Sequence, residues 1–239
     1  MTNEHDIVQR VRNALRSDAR IHVTGHITLA FSDGALTIEG EVSDVIGKKL
    51  ALESAARLPE VTSIIDRLHV HAAAKMSDGE IRVHVRNALL EEPVLSDCTI
   101  REQVKGQLET VRDPPGATGT IHVHVSDGVV TLDGDVGGVG QKRFAGVLAW
   151  WVPGSRDVIN GLGITPPEQE SEAATTDTVR QILEKDHLIS AESIIVNTRG
   201  STVYLDGSVS NEAERDLAEN DAWYVFGVDN VVNRLTVKA

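Results

Sequence analysis

The sequence predicts an α+β protein built from one small unit used three times. Three observations carry this: a repeated hairpin phrase, a fixed spacing behind it, and an amphipathic helix before and after the hairpin. The phrase reads FSDGALTIEGEV at Phe31–Val42, VSDGVVTLDGDV at Val125–Val136 and TRGSTVYLDGSV at Thr198–Val209. Each copy alternates apolar and polar residues about a Gly-containing turn, the pattern of half-buried antiparallel strands. Gly40, Gly134 and Gly207 close the copies, and Asp66, Asn160 and Asn233 each follow 26 residues later, in the phrases VTSIIDRLHV, SRDVINGLGI and VDNVVNRLTV. Three equal spacings define a unit of order αββαβ. Its hairpin gives an antiparallel pair and its strand–helix–strand crossover a parallel one, so each unit holds a three-stranded mixed sheet.

The first unit spans residues 1–72. It opens with DIVQRVRNALRSD, where Ile7, Val11 and Leu15 recur at helical spacing. The hairpin follows from about Ile21 to Val42, and a second helix from about Asp44 to Leu58, capped by Ser43 or Asp44 and ended by Pro59. A strand near Ser63–Val70 completes it. AAAKMSDG, at Ala72–Gly79, reads as a linker to the second unit at residues 78–165, whose first helix places Ile81, Val85 and Leu89 on one face. Leu89 lies 45 residues before Gly134 where Leu15 lies 25 before Gly40, so this unit carries an insertion near residues 97–119. The insert alternates and then turns at Asp113-Pro114-Pro115-Gly116, which predicts an added strand and a longer hairpin. QKRFAGVLAWWV forms the second helix and DVINGLGI the last strand. TPPEQESEAATT, at Thr165–Thr176, reads as the clearest linker, leaving the third unit at residues 175–239. Its helices are TVRQILEKDHLI and NEAERDLAENDAWYV, the latter capped by Ser210 or Asn211.

The net charge of −13 repels nucleic-acid backbones and anionic membranes as general partners. The one cysteine, Cys98, excludes an intrachain disulfide and reads as a small buried hydrophobe. The N-terminal sequence lacks a basic start with an apolar core, and no run approaches the roughly 20 apolar residues of a membrane helix. With Met1 in place, the expected location is the cytoplasm.

No catalytic motif, cofactor-binding signature or metal-spaced Cys/His cluster is present, so the expectation is a non-enzymatic protein. His69 with His71, and His122 with His124, sit two apart on strands and read as polar sheet faces. The repeated carboxylates Glu39, Asp133 and Asp206 are weak cation candidates. They share a solvent face with Thr37, Thr131 and Tyr204, opposite Ile38, Leu132 and Leu205. The glycines after them predict a bend or bulge. More informative are the aromatic pairs ending two second helices, Trp150-Trp151 and Trp223-Tyr224, where the first unit has Ala56-Arg57. At about 100° per residue, Trp150 lies about 140° from the core-facing Ala145. Trp150 and Trp223 then point outward, with Trp151 and Tyr224 on a flank. In a chain this poor in aromatics they predict a contact surface for a neighbouring unit, a second copy of the chain or a lipid interface.

The hairpin phrase V-T-L-D-G-x-V at Val130–Val136 and the phrase P-G-x-x-D-V-x-N-x-L at Pro153–Leu162 resemble the BON domain family, and the likeness covers all three units. The first unit departs from it at Glu60 and Asp66, where Gly and Asn are usual, and the insertion is atypical. The resemblance implies two helices on one face of each sheet and a binding module without catalytic residues. It implies contact with phospholipid or a protein partner, in envelope or osmotic stress, with potassium or small-ligand sensing as the alternative.

Overall fold

The computed structural model describes residues 4–167 and 171–238. The chain divides into two compact bodies, Met1–Ala72 and Ala73–Ala239.

The first body is the αββαβ unit alone: α1 (Glu4–Ser17), β1 (Thr28–Ser32), β2 (Ala35–Val42), α2 (Val45–Ala56) and β3 (Ser63–Val70). Ile7, Val11 and Leu15 bury one stripe of α1, while Glu4 and Asp6 in its first turn and Arg16 in its last complement the helix dipole. The Asp44 carboxylate accepts from the Gly47 amide at 2.7 Å and caps α2. Strand β2 is central, antiparallel to β1 and parallel to β3. Asp33 and Gly34, at φ 50° and 83°, form the two-residue turn whose twist matches a hairpin. The sequence predicted strand from about Ile21, but β1 begins at Thr28. Thr28 pairs with Glu39 and Val23 bridges to Val42, so four residues of the first strand face only Gly40 and Glu41. Two extra residues are bulged out there.

The second body contains the other two units. The middle one comprises α3 (Asp78–Glu91), β4 (Cys98–Val104), β5 (Gln107–Arg112), β6 (Gly119–Ser126), β7 (Val129–Val136), α4 (Val139–Trp150), β8 (Asp157–Asn160) and β9 (Gly163–Ile164). Ser77 and Glu80 form a reciprocal capping box at the start of α3. The insertion holds two strands rather than the single added strand expected. They widen the sheet to the order β5-β4-β6-β7-β8, with β9 also on β7. Cys98 is buried in the core with Ile81, Val85, Ile121 and Leu132. Burial, with the Asp97 carboxylate next to it, pushes its thiol up to about 11, so it stays protonated.

The last unit comprises α5 (Glu172–Lys185), β10 (Ile194–Arg199), β11 (Thr202–Val209), α6 (Glu212–Tyr224) and β12 (Asn230–Val237), with the sheet order β10-β11-β12. Asn211, not Ser210, caps α6, accepting from the Glu214 amide at 2.9 Å. The proposed linker Thr165–Thr176 is shorter than the sequence suggested. Residues 168–170 lie outside the described region, and α5 already starts at Glu172 under a Ser171 cap. The buried face of that first turn is threonine rather than aliphatic. Thr175 and Thr178 are buried, their hydroxyls bonded to Ser171 and Ala174 carbonyls, so the segment looked polar throughout.

Two devices explain why the repeat spacing holds. At Gly40, Gly134 and Gly207 φ is positive, and a Cβ would run into the carbonyls of His26, Thr120 and Ser193, in or just before the neighbouring strand. The residue 26 further on ties the last strand to the second helix. Asn160 Nδ2 donates to the Lys142 carbonyl at 2.8 Å, and Asn233 Nδ2 to the Arg215 carbonyl at 3.1 Å. Asp66 cannot donate; there Lys48, at the position equivalent to Lys142 and Arg215, turns inward and pairs with it at 2.9 Å.

Candidate functional site

In the second body the helices of the two units meet. Residues Arg143–Ala149 of α4 are buried without a break, as are Asp221–Trp223 of α6, more than one helix face can supply. Both helices are therefore enclosed by their own sheet on one side and by the neighbouring unit on the other. The side chains that make this junction include the aromatics singled out in the sequence. Trp150 stacks on Tyr224 with ring centroids 5.7 Å apart and planes 14° from parallel. Trp151 Nε1 donates to Asp221 Oδ1 at 2.7 Å. Trp223 is fully buried, against the expectation that it faces outward.

Charged groups seal the junction. Arg143, 1% exposed, donates through Nη2 to Thr175 Oγ1 at 2.8 Å and through Nε to the Phe226 carbonyl at 3.0 Å. Lys142 lies over the Phe226 ring at 4.1 Å. Lys185 on α5 pairs with the buried Glu92, after α3, at 2.9 Å. Asp221 is 2% exposed and its Oδ2 meets no donor. Burial, with a further push from Asp186 and against the Trp151 N–H, raises its carboxyl to about 7. Sequence reasoning found the aromatics but missed Arg143 and Asp221. An arginine inside the apolar run FAGVLA and an aspartate directly before Ala-Trp were the available signals.

The cation candidates do not converge, since Glu39, Asp133 and Asp206 lie on three separate sheets. Glu39 faces Arg67 at 3.6 Å and Asp206 faces Arg234 at 3.7 Å, each one strand across. Asp133 faces His122 in the strand register. Among the described residues no three His, Cys, Asp or Glu side chains are grouped to hold a metal. Nor is any helix among them long and apolar enough to cross a membrane.

What remains outward is the sheet face opposite the helices. Ile65, Ile159 and Ile195 stand there 47–60% exposed. In the third unit the patch is cationic as well. Arg199 and Arg234 approach the Tyr204 ring at 5.8 Å and 4.9 Å, beside Ile195, which pairs with Asp206.

Comparison with known proteins agrees with the repeat. The BON domain profile matches residues 3–72, 96–166 and 171–239. The chain is similar to "Osmotically-inducible protein Y" of Escherichia coli (strain K12), 32% identical over 124 residues, which cover 49% of this chain and 62% of that protein. Two solved structures of CdsD, a structural protein of the type III secretion system of Chlamydia trachomatis, align over 99% and 98% of this chain and 100% and 92% of theirs. Their identities of 13% and 15% and TM-scores of 0.26 and 0.25 are too low to bear on fold or function. With three matches that together take in most of its length, the chain belongs to the BON domain family.

Proposed function

We propose that the protein is a non-enzymatic binding module of an osmotic or envelope stress response, which docks on a phospholipid surface through its open sheet faces. The observation that carries this is the patch on the third sheet, where Arg199 and Arg234 flank Tyr204 next to the 60% exposed Ile195. An aromatic ring, an aliphatic side chain and two guanidinium groups together suit the headgroup region of a bilayer. The likeness to an osmotically inducible protein supports the stress setting. The aromatic pairs, by contrast, are used within the chain. Potassium sensing gains no support from the carboxylates, two of which face arginines.

Flotation with phosphatidylglycerol and phosphatidylcholine vesicles tests the reading. The wild type is expected to float with the anionic vesicles, and Ile195→Asp and Arg199→Glu to stay at the bottom. Equal flotation of all three proteins would remove the third sheet from consideration. No flotation at all would favour a protein partner, including a second copy, and sedimentation measures that directly.

A further inference from the structure

The first body carries a cleft of about 390 Å³ between α1 and the bulged segment leading into β1. Aliphatic side chains make up about half of its lining: Leu15 from α1, then Ile21, Val23, Ile27 and Leu29. Arg12, Arg16 and His26 stand around them. The bulged segment opposite Gly40 and Glu41 forms one side of it, through Gly25, His26 and Ile27. In the other units the residue paired with the repeat glycine, Ile121 or Ile194, is buried in regular strand. Here the corresponding stretch leaves Val23 44% exposed and Ile27 and Leu29 only partly covered.

The arginines are the second observation. Arg12 and Arg16 are one helical turn apart and project from the same side of α1. The protein has 36 acidic residues against 23 basic ones, yet among the described residues neither arginine meets a carboxylate. The Arg12 Nε is shielded from solvent without a hydrogen-bond partner. Glu41, the carboxylate bonded by Thr24 of the bulge, is engaged by His71 at 3.5 Å. An aliphatic trough with two uncompensated guanidinium groups along it is complementary to a ligand with an apolar tail and an anionic head.

We propose that this cleft binds one single-chain anionic amphiphile, a free fatty-acid carboxylate. Its chain lies against Leu15, Ile21, Ile27 and Leu29, and its head accepts from Arg12 and Arg16. The volume is near the lower end of small-ligand sites, about 300–1,000 Å³, which suits one acyl chain rather than a two-chain lipid. The site is independent of the third sheet, so vesicle flotation and fatty-acid binding can fail separately.

The test is displacement of the fluorescent fatty acid cis-parinarate from the full chain by laurate, decanoate and dodecanol, below their micelle or solubility limits. Laurate is expected to displace at one saturable site, and decanoate, two methylenes shorter, about 15-fold more weakly. Dodecanol should compete poorly. Arg12→Gln/Arg16→Gln should weaken laurate at least tenfold and leave dodecanol unchanged. Val23→Asp, at an exposed position, should keep the wild-type circular dichroism spectrum and abolish laurate binding by placing a carboxylate in the trough. The proposal is overturned if no saturable displacement occurs, or if both variants bind laurate as the wild type does. Displacement by phosphatidylglycerol vesicles but not by laurate also overturns it.

Discussion

Replacing Asp221 by Asn should stabilise the second body at alkaline pH and lose that advantage in acid. The Asp221 carboxyl is raised to about 7 in the folded chain from 3.8, chiefly by burial. Between those values the folded state keeps a proton that the unfolded state has released. Stability therefore falls as pH rises from about 4 to about 7 and is level above that. At about 1.4 kcal/mol per unit, the gap sets a ceiling of about 4 kcal/mol on the penalty at pH 8. Local opening that lets water reach the carboxylate caps the measured effect at about 2 kcal/mol. Asn keeps an oxygen to accept from Trp151 Nε1 and turns an amide toward Asp186, whose carboxylate opposes ionisation in the wild type. The assay is urea unfolding followed by tryptophan fluorescence. All three tryptophans, Trp150, Trp151 and Trp223, belong to the second body, so the signal reads it alone. The stability difference between variant and wild type isolates Asp221 from the carboxylates whose shifts run the other way, such as Glu214. That difference should grow by about 1.5 kcal/mol between pH 4 and pH 8, most of it below pH 6. A difference independent of pH would refute the reasoning.

Other perturbations test the devices that hold the units. Lys48→Met leaves Asp66 facing the helix without its cation and should cost about 2 kcal/mol, read by amide exchange in the first body. Adding Asp66→Asn should restore most of it, because Asn can donate to the residue-48 carbonyl as Asn160 and Asn233 donate to Lys142 and Arg215. Gly134→Ala, at φ 116° and directed at the Thr120 carbonyl, should cost at least about 2 kcal/mol in urea unfolding. Trp150→Ala removes the stack on Tyr224 and should cost about 2–4 kcal/mol in the second body, without changing the fatty-acid displacement assay.

The sequence carried the repeat because its constraints are local. A glycine at Gly40, Gly134 or Gly207 is demanded by a neighbouring carbonyl, and the alternation around it by a sheet with one covered face. Junctions between copies are not encoded that way. Helical phase alone placed Trp223 outward, since nothing in α6 announces that a second unit covers its end. The start of α5 reads as linker because its inward groups are the Thr175 and Thr178 hydroxyls, which bond within the helix and, at Thr175, to Arg143. Asp66 looked like a departure from the pattern, and only Lys48, turned inward from the position of Lys142 and Arg215, shows it to be a compensated change. Substitutions that conserve an interaction through a different donor are invisible to a reading that tracks one column at a time.

What the copies share maintains the αββαβ frame: the glycine against the adjacent carbonyl and the tie between last strand and second helix. A group preserved in all three for such reasons has a structural job already. The differences are free to serve something outside the unit, and two have a visible physical consequence. The α4 and α6 aromatics, absent at Ala56-Arg57, seat one unit on another. The bulge ahead of β1, absent from β6 and β10, exposes an aliphatic trough to Arg12 and Arg16. If divergence between copies follows use, restoring regular strand by deleting Gly25 and His26 should tighten the first body and close the trough. Amide exchange at Glu41 should slow as its ladder with the first strand is completed. Loss of laurate displacement together with slower exchange would link the bulge to binding; slower exchange with laurate still displaced would break that link.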